Sequence, residues 1–107
     1  MAIPSDLQKM KNPEKARLLA GFFKTRKGEY GEGDIFLGIT VPEQRKVALR
    51  YWKEISLKEI AELLQSSIHE YRLTALLVLV EKFRKADDKE RKQIFDFYIS
   101  NLDRVNN

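Results

Sequence analysis

The chain has one histidine, His69. It lacks a companion at metal-ligand spacing, such as a second histidine four residues on. It follows a serine that can cap a helix, so a surface place in a helical first turn is expected. Cysteine is absent, which removes thiolate metal sites and any disulfide framework. Neither a Gly-x-Ser-x-Gly elbow nor a GxxxxGK[ST] phosphate loop occurs. The run GEYGEG at 28–33 carries Glu29 and Glu32 and leads into Asp34. Those charges repel phosphate, and no strand precedes the run. Glu81 with Lys82 and Lys85, and Glu90 with Arg91, have the spacing of solvated helix faces. Asp34 heads the apolar strip IFLGI and is expected to cap a backbone amide there. No catalytic residue, metal site or cofactor is expected from these residues.

The cations are more suggestive. Lys24, Arg26 and Lys27 close the second helix and abut a loop that holds Tyr30. Gln44, Arg45 and Lys46 open the third helix just beyond it. Cations and an aromatic at one end of two neighbouring helices suit a sugar-phosphate backbone. For Lys24, answering the helix dipole is the preferred reading. For Arg45, at a helix start where the dipole disfavours a cation, the phosphate reading is preferred. The chain has 20 Lys and Arg against 16 Asp and Glu, a net charge of +4. That excess permits nucleic-acid binding without demanding it.

The elements that must position these groups are almost all helices. A first helix is expected over 3–11 from Ile3, Leu7 and Met10. Asn12-Pro13-Glu14 signals the start of a second, reaching about residue 25, with Leu18, Leu19, Phe22 and Phe23 on one stripe. Thr40 to Glu43, Ser56 to Glu59 and Ser67 to Glu70 each read as a capping box. They open helices three, four and five. Val47, Ala48, Tyr51, Trp52 and Ile55 form the inner face of the third; Leu57, Ile60, Ala61, Leu63 and Leu64 that of the fourth. The fifth, about 68–85, is apolar almost all round between Leu73 and Val80 and is expected at the centre. A sixth starts at Asp87 and carries Ile94, Phe95, Tyr98, Ile99, Leu102 and Val105.

Between helices two and three lies the stretch 27–46, with four of the five glycines, Gly28, Gly31, Gly33 and Gly38, inside eleven positions. Its second half, DIFLGI, is expected in the core and its first half at the surface. An elaborate helix-to-helix connection is the other reading of this stretch.

At 107 residues the chain is one domain with one core. The expected class is all-α: six helices in three antiparallel pairs, one with two, three with four and five with six. Stacked pairs suggest an α-α superhelix of HEAT-like helix pairs, with a compact helical bundle as the alternative. The apolar stripe of helix six lacks evident cover, so a longer parent protein or self-association through that helix is expected. No signal peptide or membrane span is expected, and the lack of cysteine fits a cytoplasmic home.

Three blocks then carry a family resemblance: GEYGEGDIFLGITVPEQRK at 28–46, SSIHEYRLTALLVLVEKF at 66–83 and IFDFYISNLDRVNN at 94–107. In that order they resemble the AlkD-like DNA alkylation repair family. The resemblance implies an all-α fold of HEAT-like repeats. It also implies a basic concave face that grips double-stranded DNA, and excision of cationic alkylated purines. It places an aromatic near the lesion at Phe22 or Phe23. In the family a tryptophan and then an aspartate follow the Asn-Asn pair; here the sequence ends at Asn107. The catalytic aspartate is therefore expected outside these residues. The chain is read as the N-terminal, backbone-binding part of a DNA glycosylase, inactive in excision on its own. The rival expectation is a non-enzymatic helical-repeat scaffold that binds a protein partner.

Overall fold

Four of the helix starts are written in adjacent side chains. A computed structural model, describing residues 2–23, 25, 28 and 32–102, contains α1 (Ala2–Lys9), α2 (Pro13–Phe22), α3 (Val41–Tyr51), α4 (Leu57–Leu64), α5 (His69–Lys85) and α6 (Asp88–Ser100). Asn12 caps α2 by accepting from the Lys15 amide at 3.1 Å. Thr40 with Glu43, Ser56 with Glu59 and Asp87 with Glu90 form complete capping boxes. Each side chain satisfies amides that the first helical turn leaves without partners.

The start of α5 departs from expectation, because Ser67 and Glu70 form no capping box. Ile68 takes the N-cap position without a side-chain cap. Its backbone is extended because it forms an isolated parallel bridge with Ile35. The His69 amide donates to the Ile35 carbonyl at 2.8 Å, so the incoming loop does what a capping side chain otherwise does.

The core gathers Ile3 and Leu7 from α1, Val47 and Ala48 from α3, Ile60, Leu63 and Leu64 from α4, and Ala75, Val78 and Leu79 from α5. Full burial of each large aliphatic side chain contributes roughly 1.5–3 kcal/mol. Leu37 and Ile39 of the loop join them, so DIFLGI is anchored as expected, although Ile35 itself remains half exposed.

The heaviest packing runs between alternate helices. α3 lies along α5, α1 packs on both, and α4 and α6 rest on α5. This corrects the expected pairing of one with two and three with four. The buried face of α3 is Gln44, Val47 and Ala48; Gln44 meets Thr74 of α5, and Val47 and Ala48 share one core cluster with Ala75 and Val78. Stacking of alternate helices is the construction of an α-α superhelix. The molecule measures 42 × 28 × 20 Å, and its smallest dimension is about two helix diameters of roughly 10–12 Å. It is a two-layer slab, not a closed bundle.

Two stripes expected inward are not covered. α2 buries no residue, and Leu18 and Phe22 are 76% and 73% exposed. α6 also buries none, and Phe95, Tyr98, Ile99 and Leu102 face outward. The shortage of cover foreseen for α6 is present in those residues; Val105 lies outside the described ones. Among the described residues no helix is long and apolar enough to cross a membrane.

Candidate nucleic-acid interface

Residues 34–39 form an extended strip that runs from the glycine loop into the cap of α3. Three side chains of α5 fasten it. Asp34 meets the Arg72 guanidinium through both carboxylate oxygens, at 2.8 and 2.9 Å. The expected amide cap is thus replaced by an ion pair. The cause is Arg72, which is 3% exposed and needs a counter-charge there. Glu70, 1% exposed, accepts from the amides of Leu37 at 2.9 Å, Gly38 at 2.9 Å and Ile39 at 3.3 Å. A carboxylate removed from water needs such donors, and bonds to an ionised acceptor are the strong ones. The third side chain is Thr74, whose hydroxyl donates to Gln44 at 3.2 Å; the Gln44 amide nitrogen donates to the Ile39 carbonyl at 3.0 Å.

The other edge of the strip carries α2. The Asn12 amide donates to the Leu37 carbonyl at 2.7 Å. Gly38 has φ +82°, and a Cβ there would overlap the Asn12 carbonyl oxygen and come within 2.7 Å of the Ala16 amide nitrogen. Only glycine fits both the left-handed backbone and the close approach. Phe36 completes the attachment: its ring stacks on Phe23 at 5.3 Å and on His69 at 4.7 Å, and those two rings are themselves 5.7 Å apart, so the three form a triangular cluster.

His69 is therefore not the surface residue expected. Its imidazole packs as an aromatic plate. Burial holds its pKa below the ordinary 6.5, with the Arg72 charge adding to that. The charges of Glu70 and Asp34 pull the other way, the Asp34 carboxylate lying 3.8 Å from Nδ1. Burial wins, so the ring is neutral at neutral pH. Beside this stack an open apolar groove of about 450 Å³ separates α2 from α3 and α5. Leu18, Leu19 and Phe23 form one wall, Val41 and Leu73 the other, and Lys15 stands at its edge.

The expected site residues divide into three groups. Arg45 and Lys46 are exposed on α3, directly after the anchored Gln44, and neither forms an ion pair with a described residue. Phe22 and Phe23 part company. Phe23 is in the stack, while Phe22 stands in solvent with its ring edge-on to Phe23 at 5.1 Å. Lys24, Arg26, Lys27 and Tyr30 lie outside the described residues. Sequence reasoning missed Gln44, Glu70 and Arg72 as the anchors. Charged side chains two residues apart, immediately before the apolar run of α5, were the available signal for Glu70 and Arg72. Glu81 was likewise expected on a solvated face; it is buried and pairs with Arg84 at 3.0 Å.

Asp34 and Glu70 spend their oxygens on Arg72 and on strip amides, so neither is poised for acid–base work. No described group of His, Asp or Glu side chains is arranged to bind a metal. A family model described as DNA alkylation repair enzyme matches residues 3–107. No curated protein and no solved structure matches the chain.

Proposed function

The chain belongs to the DNA alkylation repair enzyme family, and on that premise we propose that residues 1–107 hold the duplex backbone for a glycosylase that removes cationic alkylated purines. The observation that carries this reading is the pair of exposed cations Arg45 and Lys46, neither ion-paired with a described residue, which directly follow Gln44, a groove-lining residue tied to α5. Lys24, Arg26, Lys27 and Tyr30, outside the described residues, are also assigned to backbone contact in this reading. Phe22 is the exposed aromatic on the lesion side, and Phe23 supports it from the stack. The carboxylate that stabilises the departing sugar's positive charge is assigned outside these residues in this reading, since Asp34 and Glu70 are engaged by Arg72 and the strip amides.

Two measurements test the proposal. Purified chain 1–107 is expected to bind duplex DNA weakly, with log K falling linearly against log salt. Charge reversal at Arg45 or Lys27 lowers the affinity; salt-independent binding argues against phosphate contacts. The same chain is expected to release no alkylated base above a protein-free control, and release would refute the assignment.

A second reading is favoured by one feature, the apolar groove of about 400 Å³ between α5 and α6, lined by Leu76, Val80, Phe83, Phe95 and Tyr98. Such a face suits a protein partner or a second copy of the chain. Absence of any duplex binding at low salt favours the scaffold, and sedimentation tests self-association.

A further inference from the structure

We propose that Glu70 and the Asp34–Arg72 pair are positioning residues for the phosphate-holding cations Arg45 and Lys46. The inference rests on the backbone-holding reading and assigns it a control point that touches no DNA. The path is continuous. Glu70 holds the amides of Leu37, Gly38 and Ile39. The carbonyl of Ile39 holds the Gln44 side chain, and Gln44 is tied to Thr74 of α5. Arg45 and Lys46 are the next two residues of α3. Asp34 fixes the upstream end of the strip on Arg72, which also donates to the Ser66 carbonyl at 2.9 Å. All of these anchors sit within the first two turns of α5 or just before it. The strip therefore cannot shift along α5 without breaking several bonds to buried or half-buried groups.

Electrostatics alone predicts the opposite of this role, which makes it testable. Glu70→Gln removes a negative charge, raises the net charge of the protein and by simple attraction tightens DNA binding. A positioning role predicts weaker binding. Gln keeps one acceptor oxygen but turns an NH2 donor toward amides that are donors themselves, so part of the strip is released. Arg45 and Lys46 then lose their fixed register on successive phosphates.

The experiment titrates a fluorescent random-sequence duplex with chain 1–107 as wild type, Glu70→Gln and Arg45→Ala/Glu70→Gln over a range of salt. Circular dichroism checks that each is folded. Each phosphate contact contributes about 0.9 to the slope of log K against log salt, so loss of both cations makes the slope shallower by about two. The expected result is weaker binding with that shallower slope in Glu70→Gln, and little further change in the double variant. A merely structural role lowers the folded fraction and leaves the slope alone. If Glu70→Gln does not fold, the same slope is read on Asp34→Asn, which leaves the bonds of Glu70 in place and is expected to be shallower than wild type. Tighter binding, or a wild-type slope in a folded variant, overturns the positioning role. A wild-type chain that binds no duplex overturns the backbone-holding reading instead.

Discussion

Replacing Gly38 with alanine adds one carbon at the most crowded of the described glycines. Two separate costs apply. The backbone is at φ +82°, where an L-residue pays roughly 1–2 kcal/mol. The new Cβ would also overlap the Asn12 carbonyl oxygen and the Ala16 amide nitrogen. Both are backbone atoms at the start of α2 and cannot rotate away, so overpacking adds roughly 1–3 kcal/mol. The sum is about 2–5 kcal/mol, a large share of the roughly 5–15 kcal/mol that stabilises a domain. Gly33 is the matched control. Its φ is +85°, but a Cβ there meets nothing within 4 Å, so only the backbone strain of about 1–2 kcal/mol remains. Urea unfolding separates them: at a slope of about 2 kcal/mol per molar, Gly38→Ala lowers the midpoint by about 1–2.5 M and Gly33→Ala by about 0.5–1 M. Equal losses would show that the approach of α2 to the strip is not tight, and the reasoning about the strip would fail with it.

Two further outcomes follow from the aromatic stack. The imidazole of His69 is held below its ordinary 6.5 chiefly by burial, so the unfolded chain takes up that proton first as pH falls. Its stabilising contribution is complete above pH 6.5 and is lost as pH drops from there towards the lowered folded value. His69→Phe keeps a ring against Phe36 and should flatten that part of the stability–pH curve, measured by urea unfolding at a series of pH values; an unchanged curve contradicts the burial. Phe22→Ser should move stability by less than about 0.5 kcal/mol, as for an exposed position, while Phe23→Ala should cost about 1–3 kcal/mol, below the full core value because the ring is half-buried. Thermal melts showing equal effects would reject the division of labour between the two rings.

The readable parts of the sequence were those governed by neighbours within four residues. Two of the three expected capping boxes form, and the helix start at Asp87 adds another, because a Thr, Ser or Asp with Glu at the third position closes on itself. The apolar content of DIFLGI likewise gave away its anchoring, since a segment with that much apolar surface is buried where it can be. The Ser67–Glu70 box failed for a reason no local pattern holds. Glu70 had a better use thirty-odd residues upstream in sequence, where three amides of the strip lacked acceptors. The same competition misplaced Asp34 and His69, whose partners are Arg72 and Phe36. The exposure of Leu18 and Phe22 was hidden for the opposite reason. Their stripe is amphipathic in the usual way, but Leu18 opens on a groove and Phe22 stands in solvent.

That groove and the clasp are linked through the attachment of α2. The helix buries none of its own residues. Its described holds run to the strip: the Asn12 amide on Leu37, the backbone near Ala16 against Gly38, and Phe23 on Phe36. The strip in turn is held by α5 through Glu70 and Arg72. The α2 wall of the groove thus depends on the same few buried polar bonds that fix the start of α3. An apolar contact between α2 and α5 would have been stronger per residue, yet it would have closed the groove and buried Leu18 and Phe22. Polar bonds to an extended backbone hold α2 at a distance instead. The result is an open apolar trough flanked by α2 on one side and by the start of α3, through Val41 and Gln44, on the other.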